Sequence, residues 1–180
     1  TLHLDGGTLH TNGIYDNGGE TSTTTVNLNG GTLKARKDNG DFLNADTINV
    51  TNGGAVIDSN GYSVRIDNVL AANGTGGLTK NGLGQLEITN QNTFTGAVVV
   101  NEGTLYANSG SGHNNKAFSN SNGITVNSGA TLRSGSNSLF GWDGSQAKLI
   151  TINGGTAVAE NGDLNVGQVT LNGGTLSSVN

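Results

Sequence analysis

Thirteen Asp and Glu, eight Lys and Arg and three His are the groups in this 180-residue chain that could carry acid–base, metal or ionic chemistry. If the chain coils in turns of some twenty residues, Asp46 meets Asp67 and Asp143 meets Asp163. Paired carboxylates hydrolyse glycosidic bonds, and three or more oxygen ligands hold Ca2+. The remaining acids are scattered and each pair lies near a loop, so random surface placement is the expectation. His3 and His10 form a conceivable metal pair, but no third ligand is identified for them. Ser111 lies close to His113 in a Gly/Ser/Asn stretch that could not hold a nucleophile and its base in register. No Gly-x-Ser-x-Gly elbow opens a helix, and the Gly-Gly-x-Gly-x-Asp calcium repeat is absent. The expectation is a chain that is not an enzyme, with no catalytic residue, no metal site and no cofactor.

Binding chemistry has two candidates. Lys34, Arg36 and Lys37 are the only basic cluster, and Asp38, Asp41 and Asp46 follow at once. With a net charge of −5, that cluster reads as a solvated loop, and nucleic acid is excluded as a partner. The other candidate is Leu139-Phe140-Gly141-Trp142-Asp143, which holds the single Trp of the chain. An exposed Trp142, with Phe140 beside it, would meet a sugar ring or a partner surface. Alternatively, Leu139, Phe140 and Trp142 fold back to cover the core.

The elements that must position these groups are set by a recurring string. It reads LHLDGGTL at Leu2–Leu9, VNLNGGTL at Val26–Leu33, INVTNGGAV at Ile48–Val56 and VVVNEGTL at Val98–Leu105. It returns as ITVNSGATL at Ile124–Leu132, ITINGGTA at Ile150–Ala157 and VTLNGGTL at Val169–Leu176. Each copy opens with the period-2 alternation of a half-buried strand, bends at Asn-Gly or Gly-Gly, and starts a second short strand at Thr-Leu. The bend glycines Gly6, Gly30, Gly53, Gly76, Gly103, Gly129, Gly154 and Gly173 lie 19 to 27 residues apart. Self-similarity at such a period predicts a stack of near-identical units.

The fold class expected is all-β, a right-handed parallel β-helix of seven to eight rungs of about 24 residues, and a rod about 35 Å long. Composition agrees: 32% hydrophobic and 4% aromatic residues suit a narrow axial core of Val, Ile and Leu. Pro, Cys and Met are missing altogether, and no apolar run approaches the length of a membrane span. Asn29, Asn52, Asn153 and Asn172 precede bends and are expected to stack as amide ladders. Four stretches break the rhythm and are expected to loop out of the rod: 10–25, 34–47, 106–123 and 133–148.

One segment is denser in fixed positions than the rest. Gly76 to Leu105 reads GGLTKNGLGQLEITNQNTFTGAVVVNEGTL. Its bends fall at Gly76-Gly77, Gly82 and Gly84; Leu86 with Ile88, and Val98 with Val100, point to one side. Lys80 is expected at an exposed turn, and Phe94 packed inward over the corner Asn92–Gly96. This stretch resembles the autotransporter-associated β-strand repeat, also called the passenger-associated transport repeat. The resemblance runs through Gly77, Leu78, Thr79, Lys80, Gly82 and Gly84. It continues through Asn92, Thr93, Phe94, Thr95 and Gly96 to Gly103, Thr104 and Leu105. Gln85 replaces the usual Thr and Phe94 the usual Tyr.

The resemblance implies a fragment of a Gram-negative autotransporter passenger, cell-surface or secreted, with its translocator barrel elsewhere in a longer parent protein. It implies a rod acting as stalk and adhesin, with the repeat aiding secretion and folding and with no membrane insertion of this segment. The partners expected are host glycan or matrix surfaces, or further copies of the chain in autoaggregation and biofilm. A polysaccharide-acting enzyme, like the pectate-lyase-type β-helices, is the remaining alternative.

Overall fold

The computed structural model describes residues 1–16, 18, 22–109, 116–135, 149–160 and 167–179. The first two turns supply β1 (Leu2–Leu4), β2 (Thr8–Thr11), β3 (Thr25–Leu28) and β4 (Thr32–Ala35). The next two supply β5 (Thr47–Val50), β6 (Ala55–Asp58), β7 (Ser63–Ile66), β8 (Leu70–Ala72), β9 (Leu78–Asn81) and β10 (Gln85–Ile88). Then come β11 (Val98–Val100), β12 (Thr104–Ala107), β13 (Ile124–Asn127) and β14 (Thr131–Ser134). The last are β15 (Ile150–Asn153), β16 (Thr156–Ala159), β17 (Val169–Leu171) and β18 (Thr175–Ser178).

These strands form three sheets in which every strand pairs in parallel with its counterpart one turn away. One sheet runs β1-β3-β5-β8, the longest runs from β2 through β4, β6, β9, β11, β13 and β15 to β17, and the third joins β7-β10-β12-β14-β16-β18. The architecture is a parallel β-solenoid. Six levels of the eight-stranded sheet are followed by a strand of the six-stranded one, so about six turns close on paired strands, fewer than the seven to eight rungs expected. At the first two levels the returning chain makes only isolated bridges, Ile14 to Leu43 and Asn39 to Val64.

The core follows from strand alternation. Leu33 and Ala35 of β4 point in while Thr32 and Lys34 point out, and β10, β12, β14 and β16 repeat that pattern. Parallel register then stacks like on like: Val26, Ile48 and Leu70 on one sheet, Leu86, Leu105 and Leu132 on another. Within the stretch 34–47, Phe42, Leu43 and Ala45 are buried in this core, as are Ala117 and Phe118 within 106–123.

The recurring string does not keep one place on the rod. In the first turns its bend leads from the four-stranded into the eight-stranded sheet, as between β3 and β4; later it leads from the eight-stranded into the six-stranded sheet, as between β13 and β14. The changeover lies inside the segment of densest motif. The Gly96 amide donates to the Gly76 carbonyl at 3.0 Å, and the Thr104 amide to the Gly84 carbonyl at 2.8 Å. Gly76 and Gly103, successive marks of the sequence ruler, therefore belong to different columns of bends.

Candidate functional site: buried polar groups of the 78–107 segment

Among the described residues, the buried polar side chains are four serines, Lys80 and Asn92. The two long ones both lie in the segment singled out by its motif.

Lys80 follows from β9. Leu78 is buried, Thr79 half-buried on the outer face, and Lys80, two residues from Leu78, shares the inner face. Register sets it in a column of aliphatic side chains: Leu33 pairs with Ile57, Ile57 with Lys80, Lys80 with Val100 and Val100 with Val126. The methylene stem fills the space a Val or Ile takes elsewhere, and the ammonium turns up beneath the bend. There Nζ donates to the carbonyls of Asn81 at 2.9 Å, Gly82 at 2.6 Å and Glu102 at 3.1 Å, the last one turn further along. Burial pushes its pKa down to about 8, against the pull of the Asp58 and Glu102 carboxylates. The exposed turn expected for Lys80 is thus corrected: the residue is fully buried. Leu78 in the core commits Lys80 to the same side, so the strand period already held the signal.

Asn92 joins three turns. Its Oδ1 accepts from the Leu70 amide at 2.8 Å, and its Nδ2 donates to the Ala117 carbonyl at 3.0 Å and to the Asn90 carbonyl at 3.1 Å. Only the last of these closes a local turn, the role its type suggested. Thr93 adds an acceptor for the Ala72 amide at 2.9 Å, and the Thr95 carbonyl accepts from Asn122 at 3.0 Å. Phe94 is buried, with its ring 6.2 Å from that of Phe118 and inclined by 44°. Phe rings thus fill the face where β8 has no strand successor.

Gly77, Gly84, Gly96 and Gly103 sit where backbone meets backbone, and Gly82 against the Asp58 carboxylate. A Cβ on Gly77 would lie 1.9 Å from the Ala97 carbonyl oxygen, and Gly82, Gly84 and Gly103 all have positive φ. Thr104 follows on the outer face and Leu105 is buried.

Outside the segment, Asp46 and Asp67 line one groove of about 510 Å3. Asp46 accepts at one oxygen, from the Thr24 amide at 2.7 Å, and Asp67 at both, from Arg65 and Thr89 at 2.6 Å each. His3 lies on β1 and His10 on β2, in different sheets, so they make no pair. On the six-stranded sheet, Arg133 lies 4.5 Å over the Tyr106 ring and bonds Gln85 at 2.9 Å and Glu160 at 2.6 Å, which ties the outer face along the rod. Phe140, Trp142, Ser111, His113, Asp143 and Asp163 lie outside the described residues.

Comparison with known proteins accounts for the segment. Residues 78–107 match the Passenger-associated-transport-repeat family. The chain carries an autotransporter passenger repeat. Over 118 residues, 66% of its length, the chain is 36% identical to the Adhesin BmaC autotransporter of Brucella suis biovar 1 (strain 1330). That stretch is 3% of the relative, so the chain spans a small fraction of the curated protein it matches. No solved structure matches. A passenger is the exported part of an autotransporter, and the repeat places this segment at the surface of a Gram-negative cell or in its secreted fraction. Both long buried polar side chains, Lys80 and Asn92, belong to the passenger repeat.

Proposed function

We propose that this chain is a length of rod from an autotransporter passenger, serving as stalk and adhesin, with residues 78–107 aiding secretion and folding. The observation that carries this reading is a passenger repeat set within a parallel β-solenoid. A relative named as an adhesin supports it. The parent protein carries a C-terminal translocator. The role is non-enzymatic: Asp46 accepts from the Thr24 amide, and Asp67 from Arg65 and Thr89, which gives both carboxylates a part in holding the coil. Host glycans or matrix proteins are the ligands proposed, met by the segments 10–25, 34–47, 106–123 and 133–148, with Phe140 and Trp142 as contacts.

The test is binding of the purified chain to a glycan and matrix-protein array beside a Phe140→Ala, Trp142→Ala variant. Specific binding lost in the variant supports an adhesin with its site in 133–148. Absence of binding by either leaves a stalk, with recognition elsewhere in the parent.

Self-association is a second reading, favoured by the outer face of the eight-stranded sheet. From β9 to β15 that face presents Thr79, Val99, Thr125 and Thr151 in one row and Asn81, Asn101, Asn127 and Asn153 in the next, without a charge. Uncharged β-branched and amide rows favour face-to-face stacking. Sedimentation should show concentration-dependent dimers that Thr125→Lys with Thr151→Lys abolishes; a clean monomer at high concentration refutes this reading.

A further inference from the structure

We propose that the 78–107 repeat sets the register of the solenoid: Lys80 and Asn92 are polar plugs that satisfy backbone groups on neighbouring turns only when the turns stack in their native order. This deepens the folding role proposed above and rests on that reading for its biological setting alone.

The need for such a device comes from the sequence. Strings such as VNLNGGTL at Val26–Leu33 and VTLNGGTL at Val169–Leu176 are nearly interchangeable. Their inner columns hold the same aliphatic types at almost every level, so a turn paired with the wrong neighbour still buries Leu on Val. Register is weakly specified when alternative pairings bury the same surface. A hydrophobic column cannot count turns.

Lys80 and Asn92 interrupt that sameness. Lys80 is the single charged residue in the buried core among the described residues, and its ammonium needs the Glu102 carbonyl from the next turn as well as those of its own bend. Asn92 needs an amide from the turn before, at Leu70, and a carbonyl from the turn after, at Ala117. A misplaced turn leaves a buried amine or amide without partners, which costs far more than a misfitted methyl group. Buried polar groups that fix register at some expense of stability are known in coiled coils, and the logic carries over to stacked turns. The position of the plugs also matters. They sit where the recurring string changes from one column of bends to the other, the level at which its pattern points to the wrong neighbour.

The experiment compares refolding of the full 180-residue chain with a Lys80→Met, Asn92→Leu variant and with Leu86→Ala, a core cavity control. After dilution from guanidinium, hydrogen exchange is followed by mass spectrometry on peptides covering 70–81 and 117–127. The plug variant should refold about ten-fold more slowly and give two or more lasting mass envelopes for these peptides, whereas Leu86→Ala loses stability yet keeps one envelope. A plug variant with one envelope and the parent refolding rate overturns the proposal. Should the double variant not fold, Asn92→Asp decides: it keeps an acceptor for the Leu70 amide but removes the donor to Ala117. Heterogeneity confined to 117–127 is then expected, and equal effects on both sides, or none, refute it. Failure here leaves the passenger assignment intact, because that is tested by surface display and ligand binding and not by refolding.

Discussion

Asn81 and Asn101, one turn apart on the outer face of the eight-stranded sheet, are joined amide to amide at 2.8 Å, and Asn127 extends the run to Asn101 at 2.7 Å. Asn153 and Asn172 repeat the contact at 3.1 Å. Asn29 and Asn52 also bond from turn to turn, but to Asp5, the Gly53 amide and Thr75 instead of to each other. The ladder expected from sequence exists with partly different members.

Asn101 is the central member of its run and loses two bonds at once if truncated. Asn101→Ala should cost about 1–2 kcal/mol, measured as a lower guanidinium midpoint. Asn81→Ala in the same background should add less than it does alone, since the bond between them is already gone.

Gly103 and Gly129 both have positive φ, but only Gly103 is hemmed in. A Cβ there would lie 2.4 Å from the Gly84 carbonyl oxygen, while a Cβ on Gly129 meets nothing within 4 Å. Gly129→Ala should therefore cost the left-handed strain alone, about 1–2 kcal/mol. Gly103→Ala must also force adjacent turns away from each other and should cost at least about 1 kcal/mol more. Equal thermal shifts in the two variants would contradict the close stacking of bends.

Phe94 and Phe118 fill the face that lacks strands beyond β8. Phe94→Ala should destabilise by about 3–5 kcal/mol through lost burial and a cavity. Hydrogen exchange should then rise first at the amides of Asn92 and Asn122, whose partners are Ala117 and Thr95.

Lys80 makes stability depend on pH with a definite sign. Its folded pKa of about 8 lies below the ordinary 10.5, so between these values the unfolded chain holds a proton that the folded chain has released. Stability from this group rises as pH climbs through that window, by at most about 3 kcal/mol. Below about pH 8 the buried ammonium is carried at a cost throughout the neutral and acidic range. The difference in unfolding free energy between the parent chain and Lys80→Met, measured from pH 7 to 11, should move in the parent's favour. A flat difference would show that Lys80 is hydrated in solution.

The parallel solenoid was legible because its cause is local. Alternation such as Val26-x-Leu28 and the bend at Asn29-Gly30 follow from side-chain period and backbone freedom, and both recur along the chain. The density of motif from Gly77 to Leu105 was legible too, and so was the inward packing of Phe94. Lys80 is the exception: a charged residue beside glycines points to solvent by its type, whereas its spacing from Leu78 puts it on the inner face.

By itself the sequence determined strand, bend and inward face, since each depends on neighbours two or three residues away. The tertiary structure alone decided which turns meet. The partners of Asn92 on neighbouring turns lie 22 and 25 residues off, and those of Arg133 up to 48. It also decided that the recurring bend changes column between Gly76 and Gly103. Near-identical turns carry no local mark of their place in a stack; that place is settled where a buried amine and a buried amide must find their acceptors and donors on the neighbouring turns.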